Sequence, residues 1–252
     1  MPHRLMCITA HPDDESGAFG GALLMANAAG VETTVICLTE GQAASNRGQA
    51  ATDEELAQLR RAEFAAAGQV LGTSRGEVLH YPDGQLAEQN FVELVGILVE
   101  RIRRWRPQVV LTFGAEGGVN LHRDHTTICL AATAAFHWAG RSSAYPEQFA
   151  KGLQPYWPQK LYYSATPFLL TRNEEEKSRT ASTPHSIRLE LGKYADSKFE
   201  AFRQHATQAA LLEKALEIWQ ETMDCEYYLL VAAHGFHSVG EDNSLFQGVV
   251  ED

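Results

Sequence analysis

Apolar residues alternate between two rhythms along the first half of the chain. Short unbroken runs, RLMCITA (Arg4–Ala10), VETTVICLT (Val31–Thr39) and QVVLTFG (Gln108–Gly114), are rich in aliphatic and β-branched residues. Runs of this length and make-up predict strands buried on both faces. Between them lie stretches with helical spacing. SGAFGGALLMANAAG (Ser16–Gly30) predicts a helix closed by Gly30. Thr52 and Glu55 have capping-box spacing and open a helix that runs to Gly72. Phe91, Leu94, Val95, Leu98, Val99 and Ile102 recur at helical period, and Pro107 ends that helix. EVLHYPDG (Glu77–Gly84) is a strand and a turn, and a further helix follows the glycine-rich GAEGGVN.

The alternation of strand and helix predicts an α/β fold. It is a Rossmann-like, mostly parallel sheet with helices on both faces. The second half is less regular. Arg141–Gln159 reads as loop, KLYYSA, SIRLEL and EYYLLVAA as strands separated in part by the charged TRNEEEKSRTASTP, and Lys193–Trp219 as a helix broken near His205. No linker divides the chain, so residues 1–252 are expected to form a single domain with an irregular C-terminal portion. Glu40–Thr52 lacks apolar periodicity and, with Arg141–Gln159, is expected to shape a pocket.

A net charge of −11 argues against nucleic acid or an anionic membrane as partner. The four cysteines form no C-x-x-C pair, and Cys7 and Cys37 fall inside apolar runs, which suits a reducing compartment. The start of the chain has no long apolar stretch, and no run approaches the roughly 20 apolar residues of a membrane span. A cytoplasmic location without membrane insertion is expected. The oligomeric state is open, a homo-oligomer included. There is no G-x-S-x-G elbow, P-loop or G-x-G-x-x-G, so serine hydrolase, NTPase and dinucleotide-binding readings lack support.

Two histidine clusters carry the chemistry. HPDDE (His11–Glu15) follows the first strand, and NLHRDH (Asn120–His125) follows the strand Gln108–Gly114. In doubly wound folds these strand ends are where ligands gather. Pro12 keeps His11 out of helical geometry, so His11 and Asp14 can converge on one point while Asp13 projects differently and suits a general base. The bland alternative is that Asp13, Asp14 and Glu15 only complement the positive end of a helix. His122 and His125 repeat the three-residue spacing. One of them completes a two-His, one-carboxylate metal site, and the other is free to polarise a carbonyl or donate a proton. Asp124 is placed to hydrogen-bond a neighbouring imidazole or carboxylate. Zinc suits such a donor set, and so does ferrous iron.

AHPDDE and HRDH together resemble the two signatures of the zinc-dependent PIG-L/LmbE-like N-acetylglucosaminyl deacetylases. That family includes the deacetylases of mycothiol, bacillithiol and GlcNAc-phosphatidylinositol biosynthesis. LTEGQ, LRRAEFAAAGQVLG and YPDG extend the resemblance, and KFEAFRQHATQ (Lys198–Gln208) is a weaker echo in which Thr207 replaces a more usual serine. The resemblance implies zinc on His11, Asp14 and His125, and Asp13 as the base that activates the attacking water. His122 would stabilise the oxyanion and protonate the leaving amine, with Asp124 orienting it. Arg60 would contact substrate, its bland alternative being a surface arginine paired with Glu63 or Glu55. The implied substrate is a small N-acetylated sugar or glycoconjugate. One departure stands out: Asn120 occupies the place of a tyrosine that assists catalysis in many members.

Other residues are weighed more lightly. His205 either approaches the site or lies on a helix surface, and His234 and His237 have ligand-like spacing after the last strand. His80 is expected to be structural, Asp83 a turn residue in preference to a neighbour of the substrate site, and Trp138, Tyr145 and Trp157 packing residues in preference to platforms for a sugar. Three functions compete: deacetylation of an amino sugar, cleavage of another amide such as a thiol conjugate, and metal binding without catalysis. Intact Asp13 and His122 speak against the third, because metal storage needs neither.

Overall fold

In chain order the elements are β1 (Arg4–Thr9), α1 (Asp14–Gly17), α2 (Gly20–Ala28), β2 (Glu32–Thr39), α3 (Asp53–Leu71), β3 (Arg75–Tyr81), α4 (Phe91–Trp105), β4 (Val109–Thr112), α5 (Arg123–Trp138), β5 (Lys160–Ser164), β6 (Ile187–Glu190), α6 (Ala195–Arg203) and β7 (Cys225–Ala233). The structure is a computed structural model and describes residues 2–165, 184–211, 224–235 and 244–251. Most of the charged segment Thr171–Pro184, the helix expected beyond Leu211, and His237 lie outside the described residues.

The described strands form a seven-stranded sheet in the order β3-β2-β1-β4-β5-β7-β6. β3 to β5 are parallel, and β7 runs antiparallel to both β5 and β6. The apolar runs form its centre because neither face of β1 or β4 reaches water. Cys7 lies opposite Val35 on one side and Leu111 on the other, all three buried. Helices α4 and α5 pack against each other, and α2, α3 and α6 form a second group. The chain steps from β1 outward to β2 and β3, then returns to β4 and β5 on the other side of β1. Between β1 and β4 the winding reverses, and in open sheets of this kind the ligand crevice lies at such a point, outside the carboxyl ends of the strands.

The local signals hold where they are local. Thr52 and Glu55 make both bonds of the capping box, and Gly72 closes α3 at φ 69°. The N–H groups of Gly30 and Val31 reach back to Asn27 and Ala26, the paired bonds of a Schellman closure. α4 buries Leu94, Val95, Leu98, Val99 and Ile102, but Phe91 at its first position is 40% exposed. The helix expected over Ser16–Gly30 is instead two, parted at Ala18 and Phe19. A distant carboxylate causes the break. Glu226 of β7 accepts the N–H groups of Gly21 (2.7 Å) and Ala22 (2.8 Å) and so caps α2. A side chain at position 21 would collide with Leu191 and Glu226, so glycine is required there. Lys198 Nζ at 2.6 Å and the Tyr228 hydroxyl at 2.7 Å complete the buried carboxylate's partners. The helix expected from Lys193 is broken at His205, as its sequence suggests. Arg141–Gln159, expected as loop, contains a 3-10 turn at Pro146–Lys151. Among the described residues no helix is long and apolar enough to cross a membrane.

Lys198→Met leaves the Glu226 charge buried without its cation, which costs roughly 3–5 kcal/mol. Urea unfolding checks this. A loss well under 1 kcal/mol would show that the pair does not fasten β7 and α6 to α2.

Candidate metal centre

The loop after β1 is curled by its own aspartate. Asp14 Oδ2 accepts the backbone N–H groups of Ala10 (3.1 Å) and His11 (2.8 Å), which leaves Oδ1 turned toward His125 Nε2 at 3.2 Å. Asp13, between them, has φ 131° and ψ −27°. A non-glycine residue adopts that conformation only where its surroundings enforce it.

His125 is set by α5 and by the loop before it. Its Nδ1–H donates to the Gly117 carbonyl at 3.0 Å, and its ring stacks on Phe113 with centroids 3.9 Å apart and planes 3° from parallel. The glycine-rich loop is needed here: Gly117 has φ 98°, and a Cβ on it would lie 2.8 Å from the His122 carbonyl oxygen. With its proton on Nδ1, His125 presents a lone pair on Nε2. His11 is fixed in the opposite sense. Its Nε2 lies 3.0 Å from Asp83 and 3.3 Å from Asp124, and two carboxylates there call for an N–H. The His11 lone pair is therefore on Nδ1, 3.2 Å from His125 Nε2 and 3.6 Å from Asp14 Oδ2. Three acceptors converge: His11 Nδ1, His125 Nε2 and the Asp14 carboxylate. Such a cluster demands a positive charge. Burial alone would lower the His11 pKa, but Asp124, Asp14 and Asp83 raise it well above its ordinary value. Burial likewise opposes the Asp14 anion, which His125 and His11 nonetheless hold well below the usual carboxylate range. A divalent cation meets the same demand, and two imidazoles with one carboxylate are a fitting donor set for it.

Further donor atoms stand close by. Ring nitrogens of His11, His122 and His125 come within 4.8 Å of one another, as do donor atoms of His11, Asp83 and Asp124. Their hydrogen bonds separate their parts. His122 is the N-cap of α5, and its Nδ1 accepts the Asp124 N–H at 3.1 Å. A neutral His122 therefore carries its proton on Nε2 as a donor. Burial lowers the His122 pKa, assisted by His11 and His125, so the ring is held neutral. Asp124 does not orient His122 through its carboxylate, as expected from the resemblance. That carboxylate, fully buried, accepts from His11 and from the backbone of Gly84 (2.7 Å) and Leu86 (3.1 Å). Asp83 is more than a turn residue, since one oxygen holds His11 and the other accepts the Ala43 N–H at 2.9 Å. Asn120 accepts the His122 N–H through its side chain at 3.3 Å.

Arg60 departs from the surface alternative. It is buried, not on the helix surface, and pairs with neither Glu55 nor Glu63. Its guanidinium donates to the carbonyls of Pro12 and Gly41 and to Asp13 Oδ2 at 3.1 Å. A Cβ at Gly41 would strike that guanidinium, so glycine admits it. In this arrangement Arg60 braces the loop carrying Asp13. Burial pushes the Asp13 carboxyl up to about 6, against the pull of Arg60. Glu15 is not a plain helix-start acid. It is buried, accepts the Asp13 N–H at 3.0 Å, and contacts His205 Nε2 at 2.7 Å. Burial disfavours the His205 imidazolium, yet Glu15 outweighs that and raises its pKa.

The remaining candidates lie elsewhere. His80 is exposed and pairs with Glu40. His234 bonds the Pro158 carbonyl and stacks on Phe136, beside the start of β5 and so at the end of the sheet opposite the crevice. Trp157 packs on His234 and Gly140, and Trp138 on Tyr145.

Over nearly its whole length the chain is similar to the mycothiol S-conjugate amidase of Streptomyces coelicolor, at 28% identity with 98% of this chain and 97% of the relative covered. It is 28% identical to the 1D-myo-inositol 2-acetamido-2-deoxy-alpha-D-glucopyranoside deacetylase of Rhodococcus jostii, with 98% of each covered. The fold is that of the N,N'-diacetylchitobiose deacetylase of Pyrococcus horikoshii, with a TM-score of 0.72 over 90% of this chain and 83% of that one at 20% identity. Residues 6–136, just over half of the chain, match the family described as PIG-L: GlcNAc-PI de-N-acetylase. These residues run from β1 into α5 and include every group that converges on His11, and the chain belongs to the PIG-L deacetylase family.

Proposed function

We propose that this chain is a metal-dependent hydrolase that removes the N-acetyl group from an N-acetylglucosamine-type amino sugar or its conjugate. The observation that carries this reading is the convergence of His11 Nδ1, His125 Nε2 and Asp14, next in the chain to Asp13. The family and the acetamido sugar in the Rhodococcus relative's name support the substrate class. His11, Asp14 and His125 would hold zinc, which when bound lowers the pKa of water and polarises an amide carbonyl. Ferrous iron fits the same donors.

The chain's own groups do the rest. Asp13 takes the proton of the attacking water, a task favoured by a pKa nearer neutrality than an ordinary aspartate's. His122, neutral with its proton on Nε2, donates a hydrogen bond to the oxygen that gains charge as the carbonyl is attacked. Asp13, in place of the His122 that the resemblance implies, then returns its proton to the departing amine nitrogen, and acetate and free amine leave. Asp83 and Asp124 hold His11 in the tautomer that aims Nδ1 at the metal. The unpaired cysteines, three of them buried, suit a reducing cytoplasm. The Streptomyces relative supports a second reading, cleavage of a larger amide in a thiol conjugate by the same groups. Acetate release from N-acetylglucosamine derivatives, compared with cleavage of such conjugates, separates the two.

Asp13→Asn is expected to lower kcat by roughly 10²- to 10⁴-fold while zinc per chain stays near wild type. A variant that keeps most of its activity would remove Asp13 as the base. His125→Ala is expected to lose the metal by elemental analysis after dialysis. Unchanged stoichiometry would strike His125 from the ligands.

A further inference from the structure

Glu15 and His205 form a buried pair that the proposed reaction does not use. Their side chains are 1% and 0% exposed, with 2.7 Å between Glu15 Oε1 and His205 Nε2. Ser16 Oγ donates to the same carboxylate oxygen at 2.8 Å. The other oxygen, Oε2, accepts the backbone N–H of Asp13 at 3.0 Å. The chain of contacts therefore ends on the backbone of the proposed base, at the residue with φ 131°. A conformation of that kind persists only when it is held from more than one side. Arg60 holds it through the Pro12 carbonyl and the Asp13 carboxylate, and Glu15 holds it through the amide. Glu15 can do so only while its other oxygen, buried from solvent, is held by a donor of its own, and His205 Nε2 stands at that oxygen.

We infer that His205 is a positioning residue for Asp13, acting through Glu15. The inference rests on the reading of Asp13 as the base. It assigns a part in the reaction to a residue 190 positions from Glu15, outside the residues 6–136 that match the family. His205 is itself fixed by the end of α6, since its N–H donates to the Phe202 carbonyl at 3.0 Å and its carbonyl accepts from Gln208 at 2.8 Å. α6 also holds Lys198, the cation on Glu226, so the segment that fastens α2 also supports the loop before it.

Two substitutions separate positioning from packing. In His205→Gln the side-chain amide reaches the place of Nε2 and can still donate to Glu15; in His205→Asn it falls short. On the zinc-loaded full chain with N-acetylglucosamine as probe, His205→Asn is expected to lower kcat roughly 10- to 100-fold at unchanged KM and zinc content. His205→Gln should recover most of the rate. The amide proton of Asp13, read by NMR without substrate, should keep its carboxylate-bonded downfield position in wild type and His205→Gln and move upfield in His205→Asn. If His205→Asn does not fold, Glu15→Gln should move the same resonance upfield and slow turnover. Equal rates and equal Asp13 shifts for the Gln and Asn variants, or an unmoved resonance and rate in Glu15→Gln, would overturn the inference. Asp13→Asn tells the two levels apart. If it turns over the probe at the wild-type rate, the base assignment fails and this inference with it. If it is inactive while His205→Asn matches wild type, only the positioning role fails.

Discussion

Three electron-pair donors facing one another in a buried site need a positive charge between them, and the rest of this structure is arranged around that need. His11 Nδ1, His125 Nε2 and Asp14 lie 3.2–3.6 Å apart because each is held by a bond on its far side. The His11 Nε2–H donates to Asp83 and Asp124, the His125 Nδ1–H donates to the Gly117 carbonyl, and Asp14 accepts two backbone N–H groups. Reverse any one of these bonds and a lone pair turns away from the centre. The ligand atoms are thus chosen by their supports as much as by their own chemistry.

The fold brings the supports together at one place. Loops after β1 and β3 supply His11 and Asp83, the first turn of α5 after β4 supplies His125, and they meet where the winding of the sheet reverses. Strain is concentrated there too. Asp13 takes a positive φ and is braced by Arg60 from α3 and Glu15 from α1, with His205 behind Glu15. The C-terminal part is therefore not an appendage. β7 caps α2 through Glu226, and α6 supplies both the cation on that carboxylate and the approach to His205.

How much of this was legible in the sequence follows from the range of each interaction. The strands, the capping box at Thr52 and the buried face of α4 depend on neighbours within a few residues, and pattern alone predicts them. The parting of α1 from α2 depends on Glu226, about 200 residues away, so a continuous Ala- and Leu-rich run concealed it. Arg60 sits among polar helix positions and reads as exposed, yet Gly41 leaves room for its guanidinium to enter the interior. The motifs HPDDE and HRDH marked residues whose side chains converge, because spacing restricts which of them can meet. They could not show that Asp124 serves His11, since that contact spans 113 residues. Asp83 had a signal in YPDG that a turn explained sufficiently, and the stacking of Phe113 on His125 had none.

His11, His125 and Asp14 are the groups proposed to hold a metal ion. Crystals of the protein loaded with zinc, measured on both sides of the zinc absorption edge, test this directly. The account predicts one anomalous peak bonded to His11 through Nδ1, to His125 through Nε2 and to Asp14, with His122 Nε2 near but not bonded. A peak bonded to His122, or one held by His11 Nε2 with Asp83 and Asp124, would contradict it.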